Sequence, residues 1–147
     1  MFTRWSLSAP VLVAAAALAG CSSPPPEYQP PPGALIAGTA QVTVNGEDAG
    51  TTDAVQCAST GSLTTITTGD GASGVTAMIS NKDQLTAESV AIRDLGGFTG
   101  SYNSGFGDTA KVTMTGRTYD ISGTADGFLT DNPSFRKSGT FAVKVSC

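Results

Sequence analysis

A chain of 147 residues with 8 basic and 12 acidic side chains, no histidine and a net charge of −4 is too short for several ordinary domains. It also lacks the clustered positive charge that nucleic-acid phosphates require. Only 14% of its residues are charged, and its abundant Thr, Gly and Val suit an exported β-rich domain better than a cytoplasmic enzyme.

Arg4 precedes an apolar run over residues 9–20, which closes on Leu18-Ala19-Gly20-Cys21 and is followed by Ser22 and Ser23. Small residues just before a cysteine, after a short apolar core, form the bacterial lipobox. Cys21 is therefore expected to receive a diacylglycerol thioether. The chain would be cut after Gly20 and the new amine acylated. Two other readings exist. A plain secretory signal ending at Ala17-Leu18-Ala19-Gly20 would need no cysteine. A transmembrane anchor needs about 20 apolar residues, and this run has twelve. The expected organisation is a lipoprotein signal peptide at 1–20, a lipidated cysteine with a Pro-rich tether at 21–38, and a β-rich domain at 39–147. Losing Arg4 with the signal takes the net charge from −4 to −5. Attachment to the extracytoplasmic face of the cell membrane would thus be through covalent lipid, not charge.

Residues 24–32 hold six of the eight prolines. Proline lacks the amide donor and fixes φ, so this stretch is neither helix nor central strand. As an extended spacer at about 3.1 Å per residue, residues 22–33 would reach on the order of 35–40 Å.

Short strands then follow, punctuated by turns. Residues 39–44 alternate, with Val42 and Val44 on one face, and Asn45-Gly46 is a hairpin signal because both positions need φ > 0. Val55 and Cys57 share a parity in the next run. Residues 62–68 are Thr-rich and end at Gly69-Asp70-Gly71. Val75, Ala77 and Ile79 line one face of a strand over 75–80. Residues 85–93 read as a strand with Glu88, Val90 and Ile92 together, with a short helix at 82–87 as the alternative. Residues 96–107 read as a loose Gly-rich stretch carrying Phe98, Tyr102 and Phe106. Ala110, Val112 and Met114 alternate up to the turn Gly116-Arg117, and Tyr119 and Ile121 continue the apolar face. Residues 127–134 read as a loop. Phe141, Val143 and Val145 mark the inner face of the last strand, whose parity includes Cys147. The pattern predicts an all-β fold, an antiparallel β-sandwich or partly open barrel of about eight strands.

With Cys21 taken by lipid, Cys57 and Cys147 remain in an oxidising compartment and are expected to pair as one disulfide. Two free thiols are the alternative. A metal site is a poor fit, since histidine is absent and zinc takes four ligands.

Candidate chemistry is sparse. Ser134-Phe135-Arg136-Lys137 has Ser-x-x-Lys spacing, but it follows Pro133 in an expected loop and lacks the companion motifs. Asp70, Asp108, Asp126 and Asp131 sit beside turn residues, where Asp serves local backbone hydrogen bonds. Phe98, Tyr102 and Phe106 form a candidate groove for a hydrophobic ligand, core and edge packing being the plainer reading. No catalytic residue, cofactor or metal is assigned.

The lipobox, the low-complexity spacer, Val42-Thr43-Val44-Asn45-Gly46, Val55-Gln56-Cys57, Tyr119-Asp120-Ile121-Ser122-Gly123-Thr124-Ala125, Asn132-Pro133, Lys137-Ser138 and the closing Val143-Lys144-Val145-Ser146-Cys147 occur in that order. This ordered set resembles the mycobacterial 19 kDa lipoprotein antigen family. The spacer departs from the family, being Pro-rich where the family's is rich in Thr, Ser and Gly. The resemblance implies a surface-exposed envelope lipoprotein without enzyme activity. Its acylated N-terminus would engage Toll-like receptor 2, with roles in adhesion and immune modulation. A carrier of lipid or another hydrophobe within the envelope is the alternative function.

Overall fold

The computed structural model describes Gly20, residues 23–27 and residues 29–147. The expected signal stretch before Gly20, and the lipidation site Cys21, lie outside the described residues.

Ten strands form one antiparallel sheet among the described residues: β1 (Ala40–Val44), β2 (Glu47–Thr52), β3 (Val55–Thr60), β4 (Leu63–Gly69), β5 (Gly74–Ser80), β6 (Thr86–Leu95), β7 (Phe98–Asn103), β8 (Lys111–Thr115), β9 (Thr118–Leu129) and β10 (Asn132–Ser146). Their order across the sheet is β2-β1-β10-β9-β7-β6-β5-β4-β3, with β8 added on β9. The two edge strands, β2 and β3, are consecutive in the chain and joined only by Asp53 and Ala54. Each residue spans at most about 3.6 Å, so the end of β2 must lie close to the start of β3. The sheet therefore curls until its edges meet, giving a nearly closed barrel.

Alternating side chains fill the interior, as a pleated sheet with one buried face requires. Val42 and Val44 come from β1, Val75, Ala77 and Ile79 from β5, and Phe141, Val143 and Val145 from β10. Asn45 and Gly46 turn β1 into β2 at φ 52° and 79°, the double left-handed geometry that Asn-Gly favours. Phe98 folds across two glycines. A Cβ on Gly100 would come within 2.6 Å of its ring, and one on Gly139 within 3.0 Å.

The expected all-β antiparallel barrel is present, with ten strands where about eight were expected. Several finer expectations are corrected. No helix occupies residues 82–87; β6 begins at Thr86. Its ladder slips by one residue, since Ile79 faces Ala87 while Met78 faces Ser89. Glu88 is the extra residue of a β-bulge, so Ala87, not Glu88, shares the buried face with Val90 and Ile92. The Gly-rich stretch 96–107 contains β7. The expected loop at 127–134 is mostly strand, because Thr130 and Asp131 alone join β9 to β10. A second irregularity leaves Pro133, Ser134 and Phe135 without partners in the ladder, between the pairs Asn132–Leu129 and Arg136–Phe128. Proline, which has no N–H to offer, suits such a position.

Candidate functional site

Three features bear on function: the end where the tether joins the barrel, the disulfide, and a groove on the outer surface.

The tether does not stay free up to residue 38. Ala34 N–H donates to the Pro31 carbonyl at 2.9 Å, closing a turn. Leu35 N–H donates to the buried Thr118 Oγ1 at 2.9 Å. Gly38 N–H donates to the Ser146 carbonyl at 2.8 Å, and Ser146 N–H donates to the Thr39 carbonyl at 2.9 Å. Arg117 Nη2 donates to the Cys147 carbonyl at 2.9 Å. Residues 31–39 are thus fastened to the end of the barrel that carries the β8–β9 turn and the C-terminus.

Cys57 and Cys147, 90 positions apart in sequence, form a disulfide with Cα atoms 6.0 Å apart. It runs from the edge strand β3 to the residue just after β10, the third strand from the opposite edge. The bridge thereby fastens the seam that the backbone ladder leaves open. Cys147 packs against the core, in keeping with its expected parity. Cys57 is exposed because β3 has no strand on its outer side.

The three aromatics of the candidate groove separate. Phe98 is wholly buried at 0% exposure, Tyr102 is 5% exposed and Phe106 is 86% exposed. Phe98 belongs to the core. Tyr102 and Phe106 line one groove of about 380 Å³, together with Asp108, Asp126, Arg136 and Ser138. The Tyr102 hydroxyl accepts from Ala110 N–H at 3.2 Å, and its ring lies 6.3 Å from that of Phe141, tilted by 57°. Ser138 Oγ donates to Asp126 Oδ1 at 2.7 Å. These polar residues come from β9, β10 and the β7–β8 connection. Sequence reasoning gives Asp108 and Asp126 only as turn residues with local backbone bonds, whereas Asp126 lies within β9 and bonds Ser138. It misses the place of Arg136 and Ser138 beside them. Gly105 and Gly107 on either side of Phe106 are the one local signal of a displayed ring.

The remaining candidates are structural. Asp70 Oδ1 accepts from Ala72 N–H at 2.8 Å and Ser73 N–H at 2.9 Å. These two bonds, Ser73's the stronger influence, hold its carboxyl below the usual carboxylate range, with Arg93 adding a smaller pull. Arg93 in turn donates to the Asp70 carbonyl at 3.0 Å and to Thr76 Oγ1 at 2.9 Å, binding the β4–β5 turn to β6. Ser134 and Lys137 lie exposed on a strand rather than on the helical turn their motif needs. Among the described residues no three metal-ligating side chains converge.

Residues 33–147 match the family described as Mycobacterium 19 kDa lipoprotein antigen. A protein named putative lipoprotein from Mycobacterium indicus pranii is 37% identical over 97% of this chain and 97% of its own length. Another of that name from Mycobacterium avium subsp. hominissuis is 32% identical over 100% and 97%. Lipoprotein LpqH of Mycobacterium tuberculosis is 31% identical over 73% of this chain and 68% of its own. The match begins where the tether first docks on the barrel and runs through both bridged cysteines, and on these grounds the chain belongs to the mycobacterial 19 kDa lipoprotein antigen family.

Proposed function

We propose that this chain is a lipid-anchored antigen of the mycobacterial cell surface, held by acyl chains on Cys21 and acting by contact rather than catalysis. The observation that carries the reading is the docking of residues 31–39 on one end of the barrel. The spacer is then what precedes residue 31; residues 22–30 would span about 28 Å if extended as polyproline. The docked end then faces the membrane. The turns at Asn45-Gly46, Gly96-Gly97 and Thr130-Asp131 face outward, available for adhesion or host contact. Recognition by Toll-like receptor 2 would go through the acylated terminus and not through the barrel. Two or three acyl chains give stable attachment where one gives only marginal binding.

Cys21→Ser tests this in a mycobacterial host. The variant should lose its partition into the detergent phase and its receptor stimulation together. Unchanged partitioning would overturn the reading.

A carrier of hydrophobes is the second reading. A pocket of about 300 Å³ beside the seam, lined in part by Val42, Ala49 and Leu95, favours it. Against it, the core beside Phe98 and Phe141 is tightly packed: a methyl group on Gly100 would come within 2.6 Å of the Phe98 ring, and one on Gly123 within 3.1 Å of Phe141. Native mass spectrometry of the protein from its own host separates the two: co-purified lipid beyond the covalent anchor supports the carrier.

A further inference from the structure

β9 is paired along its length with β10, but two different strands share its other side. β7 covers Asp126 to Leu129 and β8 covers Thr118 to Ser122. Gly123, Thr124 and Ala125 fall between them, so the sheet is split at that point. The 380 Å³ groove lies over the split, and the connection from β7 to β8 supplies Phe106 and Asp108 to its wall. Its volume falls in the range of about 300–1,000 Å³ usual for small-molecule sites.

The lining selects among ligands. Two carboxylates against one guanidinium leave a net negative groove, which repels phosphate and sulfate. The wall is chiefly polar, which does not suit an acyl chain. Asp126 Oδ2, the Asp108 carboxylate, the Asn103 amide and the Arg136 guanidinium make no hydrogen bond or ion pair among the described residues. Hydrogen-bonding capacity of both kinds therefore lies open around a single displayed ring, Phe106. A sugar ring has the complementary surface. Its C–H groups form a flat apolar face that stacks on an aromatic ring, while its hydroxyls donate to carboxylates and accept from amide and guanidinium groups.

We infer that this groove binds a neutral saccharide, with Phe106 as the stacking platform. Asp108 and Asp126 accept hydrogen bonds from its hydroxyls, and Asn103 and Arg136 donate to its oxygens. The inference does not depend on the lipid anchor.

The test uses the full mature protein in a detergent without a sugar head group. Probes are maltose, cellobiose and mannobiose, with immobilised dextran and mannan to tell a free sugar from the end of a longer glycan. Inorganic phosphate and octanoate serve as competing chemistries. Saturation-transfer NMR and calorimetry should detect at least one saccharide. Phe106→Ala and Asp126→Asn should each weaken it about tenfold, the scale of one stacking contact or one charged hydrogen bond. Met114→Ala, outside the groove, should not. Melting temperatures show whether each variant folds, and Phe106 is exposed enough for its loss to leave the core intact. The inference is overturned if no saccharide binds, if binding ignores both groove variants in folded protein, or if phosphate or octanoate occupies the groove instead.

Discussion

Removing the Cys57–Cys147 bridge should cost this domain more than any single core contact. The two cysteines are 90 residues apart, and closing a loop of that length lowers the unfolded-state entropy by an amount equivalent to about 4.6 kcal/mol at 25 °C. Measured bridges often deliver less, so about 3–4 kcal/mol is the working expectation. For a domain of this size 1 kcal/mol moves the melting temperature by about 4 °C, so Cys57→Ala with Cys147→Ala should melt about 12–16 °C lower. The loss should also have a direction. The bridge fastens the seam between the sheet's edges, so amide exchange should quicken first in β2, β3 and the end of β10. The β9–β10 hairpin should stay protected until global unfolding. Calorimetry and hydrogen exchange on the mature protein, with and without reductant, give both readouts. A melting shift under about 3 °C, or exchange that rises evenly over all strands, would refute the seam as the place where the bridge acts.

Other perturbations have equally definite outcomes. Gly100→Ala drives a methyl group into Phe98, which is backed by Gly139, so chemical denaturation should show a loss of about 1–3 kcal/mol; a loss below 0.5 kcal/mol would mean that the ring has room to move. Thr118→Val removes the acceptor of Leu35 N–H, and the docked segment should become cleavable by protease near residues 34–38 while the barrel persists; unchanged cleavage would show that this bond does not hold the tether. Asp70 should titrate below its ordinary value of 3.8, because the Ser73 and Ala72 amides favour the carboxylate. Its contribution is thus present above the unfolded pKa and lost as pH falls through the lower folded value, so the stability gap between wild type and Asp70→Asn should narrow with acidification; a carboxyl NMR midpoint at or above 3.8 would contradict this.

Much of the fold was readable because apolar residues alternate where strands bury one face. Val42 and Val44, Val75 to Ile79, and Phe141 to Val145 all lie as their parity predicts. Parity failed where the ladder itself is irregular. Glu88 is an inserted residue, and nothing local distinguishes a bulge from a regular strand. β7 was hidden because its glycine is required by packing: Gly100 makes room for Phe98, a need visible only once the ring is placed. β2 has no apolar pattern to read, since it is an edge strand with little to bury. The groove was the least legible feature. Asp126, Arg136 and Ser138 meet Phe106 through pairings of β7, β9 and β10, and no spacing in the chain announces such long-range contacts.

The anchor is most directly tested by the mass of the N-terminal peptide from protein made in a mycobacterial host. The expected product begins at Cys21, lacks everything through Gly20, and carries a diacylglyceryl thioether with or without an acyl group on the new amine. A peptide that starts at Cys21 without lipid, or a chain that keeps residues 1–20, would contradict attachment through Cys21 and with it the proposed role at the cell surface.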